Sequence, residues 1–277
     1  MTALAERLGY GAGARLLIVN CDDLGSSHAA NVAIAESIRR GIATSATLMV
    51  PCPWAREAAE MCAGLDVGIH LTLTCEYPGY RWRALTAAAS LHDQDGFMPK
   101  TAAEVWQKAD LADIERECRA QIDAALSWGV DVTHLDAHMG TMQIHPAYYD
   151  IYVRLAADYR LPLRMVGKTA DAALGFSCRD TAAANGIVFT DHFIMPVWRA
   201  PTLPQFRDKL AALEPGVSEI FAHPVEDGPE LRGYDKEEAD TRAGDYVTMF
   251  DAGLRALIEE NGIVPIGFRP LRDLMRG

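Results

Sequence analysis

Leu16-Leu17-Ile18-Val19-Asn20-Cys21-Asp22-Asp23-Leu24-Gly25 is an apolar run that stops at two adjacent carboxylates and a glycine. Four apolar residues in succession read as a strand buried on both faces, as in a parallel sheet. The acidic pair then falls at the carboxyl end of that strand, the end at which α/β folds carry their chemistry. Neighbouring aspartates repel each other, so a pair aimed into one pocket calls for a cation or a shared proton. A turn in which one aspartate caps the next helix is the competing reading.

Outward from this stretch, the pattern repeats. Ser26-Ser27 offers caps for a helix striped by Val32, Ile34, Ala35 and Ile38 and closed by Gly41. Strands are predicted at Ser45–Val50, Asp66–Leu73, Val132–Asp136, Leu163–Val166, Gly186–Phe193, Glu219–Pro224 and Val264–Gly267. Long helices are predicted from Thr101 to Gly129 and from Glu238 to Asn261. About eight strands alternating with helices point to a closed or nearly closed parallel barrel. Carboxylates replace the glycine-rich phosphate loop that a dinucleotide fold would carry after its first strand. No linker rich in Pro, Gly or Ser divides the chain, so residues 1–277 are read as one catalytic domain. The irregular stretch at 75–100, with Tyr80 and Trp82, is read as a lid or substrate loop whose aromatics can stack on sugar rings.

Composition narrows the function. The 277 residues carry 26 basic and 38 acidic side chains, a net charge of −12, with no basic block to track phosphates. Nucleic acid is thereby an improbable partner. Met1 to Ala14 lacks a basic start followed by a long apolar stretch, so no membrane association and a cytoplasmic location are expected. Six cysteines without any Cys-x-x-Cys pair read as buried thiols.

The polar residues that end the predicted strands are Asp22 and Asp23, His70, His134 with Asp136 and His138, Asp191-His192, and His223. A barrel gathers strand ends at one mouth. One aspartate and two histidines leave coordination positions open, as catalytic metal sites do. Asp22 or Asp23, with His70 and either His134 or His138, could supply such a set, and the spacing alone does not choose. Hydrolysis would also need a base, for which the second aspartate is available, and an acid, for which His223 is available.

With these pieces in place the chain resembles the YdjC-like carbohydrate deacetylases, relatives in fold of the nodulation-type polysaccharide deacetylases. The resemblance rests on Val19–Gly25, Val67–Leu71, Thr133–His138, Phe221–Pro224 and Tyr234–Asp245, where Arg242 and Asp245 occupy the family's Arg-x-x-Glu. It implies an α/β fold, a single-domain distorted (β/α) barrel of about seven or eight mostly parallel strands. It also implies removal of an acetyl group from an N-acetylated sugar by one divalent metal ion, zinc or magnesium. Carried over by position, Asp23, His70 and His138 would hold the metal, Asp22 would be the base and His223 the acid. His134, Asp136, Arg242, Tyr80 and Trp82 are expected to bind substrate. The expected partner is a small saccharide, and a homodimer is allowed. The chain departs from the family where Met139-Gly140-Thr141-Met142 follows the Asp-x-His, and in the loop at 75–100. A phosphoesterase or small-amide hydrolase built from the same residues, or a sugar-binding homologue without turnover, are the alternatives.

Overall fold

The structure is a computed structural model that describes residues 3–277. Its sheet holds seven strands: β1 (Arg15–Leu24), β2 (Ser45–Leu48), β3 (Val67–Leu71), β4 (Val132–Ala137), β5 (His192–Ile194), β6 (Gly216–Ala222) and β7 (Ile263–Pro265). All pairings are parallel, in the order β4-β3-β2-β1-β6-β5. β7 and β2 share one edge of β1. β7 pairs Arg15–Leu17, and β2 pairs from Asn20 onward.

β1 is the axis of this arrangement because both of its faces are buried. Leu17, Val19 and Cys21 pack in the large core shared with the surrounding helices. Leu16 and Ile18 point the other way, into a smaller core with Val217, Ile266 and Phe268. The sheet curls into a distorted barrel. Between β4 and β5 it is spanned by isolated parallel bridges, Leu135 to Leu163 and Leu163 to Phe189.

Several elements are shorter than their sequences predict. Leu163–Val166 makes only bridges, since Pro162 has no N–H to donate and the chain leaves the sheet after Arg164. The helix expected over Thr101–Gly129 is two, Ala102–Lys108 and Leu111–Ser127. That expected over Glu238–Asn261 breaks where the Asp251 carboxylate accepts from Leu254 N at 2.9 Å and starts a new helix. Asp191-His192 is not at the mouth. β5 begins only at His192, so this pair lies at the opposite end, where Asp191 Oδ2 accepts from Val217 N at 2.9 Å.

The stretch at 75–100 is irregular but packed. Cys75, Tyr77, Trp82 and Met98 form a small core with Met49 and Cys52, and Arg81 binds Asp93 at 2.8 Å. All six thiols are unpaired and buried. Among the described residues no helix is long and apolar enough to cross a membrane.

Candidate active site

Successive residues of a regular strand face opposite ways, so Asp22 and Asp23 cannot both point into the mouth unless the pleat breaks. It does break. Against β2 the register runs Cys21 to Ala46 and then Leu24 to Leu48, which places an extra residue in β1. Asp23 sits at φ 65°, in the left-handed region, and Gly25 follows at φ 91°. A Cβ on Gly25 would also lie 3.0 Å from Ala55 Cα, so both space and backbone demand glycine there. The bulge brings two adjacent carboxylates to one pocket.

β3 and β4 supply the histidines. His70 pairs in register with Asp136, and His138 follows β4 directly, one residue before Met139 at φ 55°. Asp23 Oδ1 lies 3.4 Å from His70 Nε2 and 3.3 Å from His138 Nδ1, and the two ring nitrogens are 3.3 Å apart. This triangle of three buried donors is one that a metal ion could occupy. Asp23 Oδ1 is buried with no hydrogen-bond partner, an orphaned acceptor that a cation would satisfy. The distal nitrogens are backed by carboxylates, as metal-binding imidazoles usually are. His70 Nδ1 is 2.6 Å from Asp136 Oδ2, and His138 Nε2 is 2.9 Å from Glu76 Oε1.

The electrostatics agree with this fit. Burial disfavours the charged imidazolium, yet Asp136 and Asp23 outweigh it and lift His70 to about 9. Burial alone would raise Asp23, but Arg242 and the two histidines hold it well below the usual carboxylate range. A cation bound among these groups would displace the protons that the raised imidazole pKa values favour.

Two buried arginines fix the acidic pair. Arg164 donates to both oxygens of Asp22, at 2.6 and 2.7 Å, and from Nε to Glu219 Oε1 at 2.6 Å. It also lies 2.6 Å from Asp136 Oδ2. Asn20 Nδ2 gives Asp22 Oδ1 a further bond at 2.8 Å. Arg242 donates to Asp23 Oδ2 at 2.8 Å, to Asp235 at 2.8 Å and to the Tyr77 hydroxyl at 3.0 Å. His223, on the loop after β6, places Nε2 4.0 Å from Asp22 and Nδ1 3.9 Å from Asp245. Burial, reinforced by Arg242, keeps its pKa below the ordinary value.

Asp22, Asp23, His70, Asp136, His138, His223 and Arg242 all line one cavity of about 380 Å³. His134 does not reach it. It lies two residues deeper on β4, fully buried, its ring stacked 3.7 Å from that of Phe268. Gly68 makes room for it, since a Cβ there would fall 2.4 Å from His134 Nδ1. Trp82 is buried in the small core with Nε1 donating to Thr74 O at 2.9 Å, and the Tyr80 hydroxyl donates to Ser26 O at 2.6 Å; neither lines the cavity. Glu76, Arg164 and Glu219 were missed by sequence reasoning. Arg164 and Glu219 each gave a signal, a lone charge inside an apolar strand, which demands a buried partner of opposite sign.

A parallel barrel with a buried carboxylate–histidine centre at its mouth is what the fold and site define. Residues 16–260 match the family model described as YdjC-like protein, and the chain belongs to that family. It is 34% identical over 278 residues to a carbohydrate deacetylase of Thermus thermophilus, with 98% of this chain and 99% of that one covered. A carbohydrate deacetylase of Thermoanaerobacter pseudethanolicus is 28% identical over 262 residues, covering 93% of this chain and all (100%) of the relative. A crystal structure of an Enterococcus faecalis protein, provisionally assigned to cellobiose-phosphate cleavage, superimposes with a TM-score of 0.83 at 23% identity. It covers 93% of this chain and 99% of its own, a likeness of fold.

Proposed function

We propose that the chain is a metal-dependent amide hydrolase that removes the acetyl group from an N-acetylated sugar, with residues 1–277 acting as one catalytic barrel. The observation that carries this reading is the triangle of Asp23 Oδ1, His70 Nε2 and His138 Nδ1, flanked by a second carboxylate and a further imidazole. The names of the Thermus and Thermoanaerobacter relatives support the choice of reaction. Asp23, His70 and His138 would hold one divalent ion. When bound, such an ion supplies Lewis acidity, making a water more acidic and an amide carbonyl more electrophilic.

Asp22 is the proposed base. Its two oxygens are aimed by Arg164 and Asn20, which fixes the carboxylate in position to take a proton from water. His223 is the proposed acid. Held neutral at rest and 4.0 Å from Asp22, it can receive that proton and pass it to the departing amine. Asp245, which accepts from His223 N at 2.7 Å, fixes the loop that carries the ring. Asp136 and Arg242 act by positioning His70 and Asp23, and Glu76 by positioning His138. Glu76, Tyr77, Pro78 and Gly79, from the start of the 75–100 loop, wall a second cavity of about 660 Å³ for the saccharide.

Phosphoester cleavage fits less well, because both arginines in the cavity are already bound to carboxylates and have little to offer a phosphate. The test is acetate release from N-acetylglucosamine and its oligomers by purified, metal-analysed protein. Activity that follows zinc or magnesium content and disappears on chelation is expected. Full activity after complete metal removal would refute the reading.

A further inference from the structure

The space around the reaction centre continues in two directions with different side chains along them. Toward Arg242 it opens into the larger cavity, where Asp235, Lys236, Glu237 and Glu238 offer polar groups and Tyr77 and Tyr234 offer ring faces. That surface suits a sugar, with hydroxyls around its edge and C–H groups on its faces. Toward Arg164 the walls are Ile144, Met165, Val166, Phe193, Met195 and Phe221, none of which can hydrogen-bond a sugar hydroxyl through its side chain. The guanidinium of Arg164 is committed to three carboxylates. Gln143 Oε1 is buried and unpartnered in this cavity wall, a single acceptor suited to one N–H.

An acetyl methyl is about the size of one water molecule, a small part of the cavity of about 380 Å³ that these apolar walls share with the carboxylate–histidine centre. We propose that this apolar-walled lobe takes the acyl chain of an N-acyl sugar longer than acetyl, about four to six carbons. This rests on the amide-hydrolase reading above and extends the acid half of its substrate from acetyl to longer acyl groups. The C–N bond breaks, water supplies the oxygen of the new carboxylic acid, and the nitrogen leaves as the amine of the sugar with a proton from water. Met195 and Ile144, 63% and 42% exposed, form the outer edge along which the chain would emerge.

The experiment uses metal-loaded protein with N-acetyl-, N-butyryl-, N-hexanoyl- and N-octanoylglucosamine, measuring amine release. In parallel, calorimetry measures binding of the same compounds to the Asp22→Asn protein. Each buried methylene is worth about fourfold, so kcat/KM and affinity are expected to rise at least tenfold from acetyl to hexanoyl and level off at octanoyl. Binding should also show a more negative heat-capacity change as the chain grows. Ile144→Asp and Met195→Asp, both at partly exposed positions, should cut the hexanoyl-to-acetyl ratio at least tenfold. Cleavage of the acetyl compound alone, with equal binding along the series, overturns the acyl lobe and leaves the deacetylase reading standing. No cleavage but rising affinity does the reverse. No cleavage and flat binding overturns both, and a ratio unmoved in both variants places the chain elsewhere and overturns the lobe.

Discussion

The Arg164 side of the mouth and the Arg242 side are built from the same parts and arranged differently. Each has a buried arginine on one member of the acidic pair, and each arginine meets a second carboxylate behind it. On the Arg164 side both oxygens of Asp22 accept from the guanidinium fork. On the Arg242 side only Oδ2 of Asp23 is held, and Oδ1 is left facing two imidazoles without a partner. Two-point binding fixes a carboxylate in orientation; one-point binding leaves an oxygen for an ion. Two side chains of identical chemistry are thus held differently, Asp22 by both oxygens and Asp23 by one.

The sharpest test replaces the first aspartate. Asp22→Asn should lower turnover by about 10²–10⁴-fold, the range a general base supplies, while metal content measured by elemental analysis is unchanged. His138→Ala should lose the metal itself. If Asp22→Asn also emptied the site, the division between the two aspartates would be wrong.

Exchanging the arginines comes next. Arg242→Gln should weaken metal binding by about 10–100-fold, as loss of a group that orients a ligand does, with kcat recovered at saturating metal. Arg164→Gln should lower kcat, with a smaller loss of metal affinity passed through Asp136 to His70. Both variants break buried ion pairs worth about 3–5 kcal/mol when one partner is removed, so thermal unfolding must accompany the assays. Identical phenotypes would break the comparison. A smaller effect is expected at Glu76→Gln, where His138 keeps a hydrogen-bonding partner without charge: about tenfold weaker metal binding, read by titration.

The smallest effect concerns Glu219, which faces Arg164 and lies in the field of Asp136 and Asp22. Burial pushes its carboxyl up to about 7 against the pull of Arg164. Between the ordinary carboxylate range and about pH 7, the folded protein holds a proton that the unfolded chain has released. This group therefore makes stability fall as pH rises through that window, by at most about 1.4 kcal/mol per pH unit. Glu219→Gln removes the contribution, and its unfolding free energy should decline less steeply than that of the parent between pH 5 and 7. An unchanged slope would mean that Arg164 keeps Glu219 ionised throughout.

The barrel was legible because its evidence is local. Leu16–Val19 reads as a strand buried on both faces, which it is, and the polar residues that close β1, β3 and β4 do gather at one mouth. His223, on the loop after β6, reaches that mouth as well. What the sequence hid was depth and pairing. His134, Asp136 and His138 share a spacing of two, which puts them on one side of the chain but says nothing of how far each lies from the opening; His134 is one layer too deep. Asp191-His192 lies at the other end because β5 begins at His192, several residues beyond the start that the apolar run at Gly186 suggests. Glu76, in an irregular loop, carries no periodic signal at all. The arginine fork on Asp22 joins residues 142 apart in the chain, a pairing that only the folded barrel makes.

The extra residue in β1 also determines what length changes the chain can tolerate. A deletion in a loop shortens a connection, whereas removing one residue between Cys21 and Leu24 would restore an even pleat against β2. Leu24 would keep its place opposite Leu48, a single aspartate would face Thr47 where two now do, and the barrel could still close with one carboxylate fewer at the mouth. The chain would lose its chemistry through a change of one in length while keeping the order of every strand. A chain one residue shorter here would share the barrel and lack the second carboxylate.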